Sequence, residues 1–171
     1  MRILLKRYWA GANETKSVMS VYMGEEPEAR MVCEAREALF FDYQVSFMGA
    51  SHYCLPRGTY KMKVGNSPYG PMGLRIPRCP GHRCVFIGHS WSRQSFEGEI
   101  LIGMPYSYNL EEQTFIPTGE LRQFDSLIKD GEETFARLNK LVYEAYANGE
   151  DFWITIDNSE VEDHQLKRNL N

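Results

Sequence analysis

Alternation of apolar and polar residues dominates the first part of the chain. Arg2 to Trp9 places Ile3 and Leu5 on one face of an extended segment, and this period of two is typical of a half-buried strand. Ser17 to Met23 and Arg30 to Arg36 have the same character, and turns separate the three segments. Because strands so close in sequence usually lie side by side, the pattern predicts an antiparallel β-meander.

The middle of the chain combines short alternating segments with residues that favour turns. Pro56 and Gly58 suit a type I or II turn, and Thr59 to Val64 alternates after them. Gly65 to Pro71 is rich in residues that interrupt regular structure, so it is predicted to be a loop. Leu74 to Pro77 is predicted to be a short edge strand, since proline is tolerated there. Two more strands are predicted at Arg83 to Gly88 and Glu99 to Gly103.

One helix is predicted after these strands, over Asp130 to Asn148. Apolar residues fall on a single stripe at helical spacing: Phe135, Leu138, Val142, Ala145 and Tyr146. Asp130 and Glu133 have the spacing of a capping box, and Asn148 followed by Gly149 favours termination. Asp151 to Asp157 then has the pattern of a last strand.

The order of strands, one helix and a final strand predicts an α+β domain. We expect a mostly antiparallel, barrel-like β core with one C-terminal amphipathic helix followed by a last strand. The chain has 171 residues, enough for one buried core, and we place a single β-rich domain at residues 1–157. Residues 158–171 are polar, have no period and are predicted to form a C-terminal tail.

Charge and apolar content limit the classes of partner. A net charge of −4 and a pI near 5.6 argue against nucleic acid or an anionic membrane as the main partner. Lys6 and Arg7 interrupt the first apolar run, which excludes a signal peptide there, and no apolar run reaches the length of a membrane span. We therefore expect a cytoplasmic protein, with export by separate machinery left open.

No cofactor is indicated, and the four cysteines are expected to be reduced thiols: Cys33, Cys54, Cys79 and Cys84.

His89 is the first candidate for chemistry. It follows a predicted strand in which Val85, Ile87 and His89 share one face. The ordinary pKa of histidine suits proton transfer near neutrality, so a catalytic role is one interpretation. The other is a partly buried histidine that donates a hydrogen bond to a backbone carbonyl.

A wider pattern surrounds His89 and resembles a family of uncharacterised bacterial and phage proteins. The residues that carry the resemblance are Pro56-x-Gly58-Thr59-Tyr60, Ser67-Pro68, Val85 to His89, and Gly98-x-Ile100-Leu101-x-Gly103. Members of that family carry Pro-x-Gly-Thr-Tyr, a strand ending in Ile-x-Ile-His, and Gly-Cys-Ile-Leu-Val-Gly. The resemblance covers most of the chain, including the opening meander and the closing helix.

The histidine and cysteine of that family are in turn similar to those of L,D-transpeptidases, which are β-rich cell-wall enzymes with a cysteine nucleophile and a nearby histidine. In this chain Glu99 stands where the family has cysteine. A carboxylate is a poor nucleophile toward amides, so the resemblance implies a non-catalytic binding or accessory module. The alternative is a cell-wall peptide hydrolase or transpeptidase with His89 as base. An ion pair between Glu99 and His89 would raise the pKa of the histidine.

Two further groups of residues suggest sites that the spacing does not favour. Zinc-ligand types occur at Cys79-x2-His82-x-Cys84-x4-His89. Cys-x2-Cys pairs are absent, and Cys84 and His89 face opposite sides of a strand, so half-buried thiols around a turn are preferred to a metal site. Cys54 near His52 lacks a third residue to orient a nucleophilic pair.

A polar, aromatic region is the candidate ligand-binding surface. Its members are Trp91, Arg93, Tyr106 and Tyr108. Exposed rings stack on sugars and peptide chains, so a peptidoglycan fragment or a protein is the partner that fits. The alternative is that the rings cover the core.

Overall fold

The structure is a computed structural model that describes residues 1–10, 14–38, 54–79, 84–89, 99–105, 108–109, 114–115 and 128–161. Its elements, in chain order, are β1 (Arg2–Ala10), β2 (Thr15–Tyr22), β3 (Met31–Glu37), β4 (Gly58–Lys61), β5 (Lys63–Ser67), β6 (Gly70–Ile76), β7 (Val85–Gly88), β8 (Glu99–Pro105), β9 (Tyr108–Asn109), β10 (Thr114–Phe115), β11 (Ile128–Lys129), α1 (Gly131–Ala147) and β12 (Trp153–Asp157). The described chain is thus α+β and mainly β, as the hydrophobic pattern predicted.

The main sheet is barrel-like and nearly closed. Its strands lie in the order β4-β12-β1-β2-β3-β8-β7-β6-β5, with β11 also paired to β8. The first and last strands of this order are consecutive in sequence, separated only by Met62. One extended segment therefore pairs with β12 through its first half and with β6 through its second half, and this brings the ends of the sheet together.

The strand pairings combine local and distant segments. β1, β2 and β3 form the predicted antiparallel meander. Two pairs are parallel: β1 with β12, and β7 with β8. The remaining described pairs in the main sheet are antiparallel. The parallel pairs join segments that cannot meet through a hairpin, so they depend on the path of the whole chain.

One face of the main sheet forms the core. Ile3 lies between Val21 of β2 and Ile154 of β12, and Leu5 lies next along the strand on the same face. These residues are no more than 2% exposed. They belong to one apolar cluster with inward-facing residues of β7 and β8, including Ile87, and with the buried residues of α1. Burial of about 25 cal/mol for each Å² of apolar surface makes this cluster the main source of stability.

The helix α1 packs onto the same cluster through four apolar residues: Phe135, Leu138, Val142 and Ala145. The capping box predicted for its N-terminus is wrong. Asp130 has a left-handed backbone, with φ +51°, and its side chain makes no capping hydrogen bond. That backbone conformation differs from the β-region geometry that lets a side chain reach the first helical N–H groups.

Two predictions in the β5–β6 region are also wrong. Most of the predicted loop from Gly65 to Pro71 belongs to β5 and β6, which pair directly as a tight hairpin. All of the predicted edge strand from Leu74 to Pro77 except its last residue lies within β6, which is an internal strand between β5 and β7. Pro77 itself follows the last residue of β6, so the ladder needs no N–H from it.

A buried charged group closes the end of the core beyond Leu5. Arg7 is fully buried and donates two hydrogen bonds to Glu37, at 2.8 and 2.6 Å. It donates a third, at 2.8 Å, to the Oδ1 atom of Asn158, the first residue of the predicted tail. Residues 162–171 lie outside the described residues. In the part of the chain that the structure describes, no helix is long and apolar enough to cross a membrane.

Candidate functional site

The pairing of β7 with β8 sets the positions of His89 and Glu99. The two strands are parallel, with Phe86 beside Glu99 and Gly88 beside Leu101. His89 follows Gly88, so the residue beside Glu99, Phe86, is three positions before His89. At about 3.3 Å for each strand residue, this offset is about 10 Å along the strand. Neither a hydrogen bond nor an ion pair joins the two side chains, both of which are described.

Tyr69 connects the two positions. It lies in the turn of the β5–β6 hairpin, and its ring centroid is 5.5 Å from that of His89. Its hydroxyl donates a hydrogen bond to the carboxylate of Glu99. Tyr69 therefore contacts both candidate residues, although the sequence pattern placed it in a loop and gave it no role.

The first turns of the helix also contact His89. The ring centroid of Phe135 is 4.9 Å from that of His89 and 5.8 Å from that of Tyr69. A Cβ on Gly131, the first residue of α1, would lie 3.5 Å from the Cβ of His89. His89 is consequently half-buried against a hairpin turn and the first turns of the helix, with two aromatic neighbours that also contact each other.

Burial changes the acid–base behaviour of Glu99 and Tyr69. Burial raises the pKa of the Glu99 carboxyl, and the hydrogen bond from Tyr69 opposes that change. Burial and the same hydrogen bond raise the pKa of the Tyr69 hydroxyl, which therefore remains a donor at neutral pH. The Oε2 atom of Glu99 is buried and has no hydrogen-bond partner among the described residues. Buried acceptors are nearly always paired in folded proteins, so a donor that is not among the described residues is expected at this oxygen.

The Pro56-x-Gly58-Thr59-Tyr60 pattern has a structural role. The Tyr60 hydroxyl donates a hydrogen bond of 2.9 Å to the carbonyl of Pro56. Gly58 has φ +148°, a conformation that side chains with a Cβ rarely adopt, and the Tyr60 ring lies close to it. This part of the pattern builds the turn into β4 and supplies no reactive group.

The predicted aromatic surface falls mostly outside the described residues. This is true of Trp91, Arg93 and Tyr106. The backbone of Tyr108 forms the first residue of β9, which pairs with β10. The predicted ligand-binding side chains therefore lie outside the described part of the structure.

The thiols form no metal centre with the described side chains. Cys79 and Cys84 are half-buried, and burial raises the pKa of Cys79 to about 11. His82 lies outside the described residues, as does His52, the predicted neighbour of Cys54. Within the described ranges, no three cysteine, histidine or acidic side chains come together in a way that would hold a metal ion.

Comparison of the chain with known protein families, with curated proteins and with solved structures finds no match. We therefore infer function from the residues and from their geometry.

Proposed function

We propose that this protein is a non-catalytic binding module whose ligand site is the cluster of Tyr69, His89 and Glu99. The observation that carries the proposal is the buried Oε2 atom of Glu99, which has no hydrogen-bond partner in the described part of the chain. An unsatisfied buried acceptor costs roughly 1–3 kcal/mol. A ligand that brings an N–H, ammonium or hydroxyl donor to this atom would remove the cost, so binding of such a ligand is favoured.

The nature of the Glu99 side chain supports binding over catalysis. In the L,D-transpeptidases, whose motif this chain resembles, a thiolate attacks a peptide carbonyl. A carboxylate reacts poorly with amides. The hydrogen bond from Tyr69 draws charge from the Glu99 carboxylate and lowers its nucleophilicity further. In this proposal Glu99 stands at the position of the family's cysteine, and its carboxylate recognises a hydrogen-bond donor of the ligand.

The resemblance also directs the choice of ligand. A bacterial or phage protein related to cell-wall enzymes would bind fragments of peptidoglycan, whose stem peptides carry amide N–H and ammonium groups. Both groups can donate to Oε2 of Glu99, and the half-buried rings of Tyr69 and His89 border the same site. A protein partner with an exposed lysine is the other class that fits this chemistry. A cytoplasmic location, with export by separate machinery left open, stays a prediction.

Calorimetric titration with soluble muropeptides tests the proposal. We expect saturable binding to the parent protein. The affinity should be about tenfold lower for Glu99→Gln, which loses the charge-assisted hydrogen bond to the ligand, and for Tyr69→Phe, which loses the hydroxyl that orients the Glu99 carboxylate. Glu28→Gln is the matched control, because Glu28 is an exposed carboxylate in the β2–β3 turn, and it should bind like the parent. Equal affinity in all four proteins would contradict the proposed site.

The alternative function, a hydrolase or transpeptidase with His89 as base, is tested in the same samples. Mass spectrometry of the muropeptides after incubation should find no cleaved or cross-linked product. Products that disappear in His89→Ala would support the enzyme and overturn the non-catalytic assignment.

A further inference from the structure

The barrel wall has a gap beside β5. The register between β4 and β12 places Lys61 opposite Trp153, and the Met62 N–H donates to the Phe152 carbonyl at 2.8 Å. Continued at the same register, the next residues of the long strand would lie opposite residues 149–151. The chain leaves the sheet there, because α1 ends at Ala147 and β12 begins only at Trp153.

The gap forms a groove on the surface of the protein. It has a volume of about 520 Å³ and is lined by Lys63, Val64, Tyr146, Gly149, Glu150 and Phe152. Two lining residues belong to β5 and the others to the end of α1 and the segment that leads into β12. The volume lies in the range of roughly 300–1,000 Å³ typical of ligand pockets.

The groove exposes one edge of a strand. β5 ends the strand order of the sheet and pairs only with β6 in the described structure. Backbone groups of successive residues point to alternate edges of a strand. Because the Met62 N–H points toward β12, Lys63 directs its backbone groups to β6 and Val64 directs its N–H and C=O into the groove. An open strand edge of this kind is a template for another strand.

The side chains around the edge define which strand would fit. Tyr146, which is 60% exposed, and the buried Phe152 both line the groove, so an apolar side chain can pack there. The carboxylate of Glu150 already accepts hydrogen bonds from the Gly24 N–H and the Met1 α-amino group. The exposed Lys63 ammonium is thus the charge that remains available at the rim, and it favours an acidic residue in the ligand.

We propose that this groove docks an extended peptide segment, which adds a strand to β5 through the backbone of Val64 and places an apolar side chain against Tyr146 and an acidic one near Lys63. Strand addition is a common mode of peptide recognition, in which the backbone provides affinity and alternate side chains provide specificity. The inference does not depend on the Glu99 cluster, because none of the residues of that cluster lines the groove.

An NMR titration tests the proposal with a defined probe. The probe is an acetylated and amidated hexapeptide of alternating threonine and leucine in which the last threonine is replaced by aspartate. We expect saturable shifts of the Val64, Tyr146 and Phe152 amides, and slower solvent exchange of the Val64 amide when peptide is bound. The same peptide with N-methyl groups on alternate residues should bind about tenfold more weakly or not at all, because it cannot complete the ladder.

Substitutions at exposed positions separate the contributions of the apolar contact and of the charge to peptide binding. Tyr146→Ala should weaken binding about tenfold, whereas Tyr143→Ala should bind like the parent. Tyr143 is the matched control, since it is 56% exposed on the same helix but does not line the groove. Lys63→Glu should reverse the preference between the aspartate probe and a lysine probe of the same pattern.

Three results would overturn the proposal. The first is the absence of saturable shifts in the groove at millimolar peptide. The second is equal binding of the N-methylated peptide. The third is protection of the Val64 amide that rises with protein concentration without peptide, which would identify a second copy of this chain as the occupant.

Discussion

The ring of Tyr69 lies directly against the backbone of Gly88. A Cβ on residue 88 would come within 2.1 Å of the Cε2 atom of Tyr69, closer than non-bonded atoms approach. This contact joins the turn of the β5–β6 hairpin to the end of β7. It also holds the Tyr69 hydroxyl where it donates to Glu99. The absence of a side chain at residue 88 is therefore a condition for the whole cluster.

We expect Gly88→Ala to destabilise the protein by about 1–3 kcal/mol, because the new methyl group must displace the aromatic ring. In a Tyr69→Ala background the ring is gone, so the same change should cost much less. Urea unfolding of the four proteins in this double-mutant cycle measures the difference. An equal loss of stability in both backgrounds would mean that the contact with Tyr69 is not what makes a side chain at residue 88 destabilising.

The pH dependence of stability should report the burial of Glu99. Its folded pKa is raised above the ordinary value of 4.5, so between the two values the folded state binds more protons than the unfolded state. Stability is then favoured at low pH and falls as pH rises through that window. Glu99→Gln removes the titrating group, and its stability relative to the parent should increase as pH rises from below 4.5 toward neutrality.

Unfolding free energies of both proteins between acid and neutral pH test this expectation. Burial also raises the pKa of Glu34, with the same sign of effect, but Glu34 is present in both proteins and cancels in their difference. Two parallel stability curves would show that Glu99 titrates alike in the folded and unfolded states.

The buried pair of Arg7 and Glu37 should be costly to break. Arg7→Met leaves the Glu37 carboxylate buried without its cation, and we expect a loss of about 3–5 kcal/mol. Arg30 and Glu26 form a similar two-bond pair in an exposed position, so Arg30→Met is the matched control and should change stability little. Thermal or urea unfolding compares the two, and equal losses would contradict a special role of burial.

The cysteines should differ in their reaction with iodoacetamide. Cys33 and Cys54 are buried and should be alkylated only when the protein unfolds, whereas the half-buried Cys79 and Cys84 should react slowly in the native state. Burial raises the pKa of Cys33, Cys79 and Cys84, that of Cys79 to about 11, which keeps their thiolate fraction low at neutral pH. Peptide mapping by mass spectrometry measures each site. Alkylation of Cys33 in the folded protein would contradict the packing of the core.

Local patterns in the sequence were sufficient for the strands of the meander and for the β-rich α+β class. Alternation at Ile3 and Leu5 depends only on which side of a strand meets the core, so a short window contains the information. The same reasoning failed at Gly65 to Pro71 and at Asp130. There, pairing with β6 and the entry of the chain into α1 override the preferences of the individual residues.

The candidate site divides in the same way between sequence and tertiary structure. The sequence by itself determined that the chain carries a histidine at residue 89, after an apolar strand pattern, and a glutamate at residue 99. Only the tertiary structure decided what each of them contacts. The parallel register offsets Glu99 from His89 by three positions, and a hairpin turn from elsewhere in the chain places Tyr69 against both. Residue types are local properties of a chain, whereas the register between distant strands depends on the closure of the whole barrel.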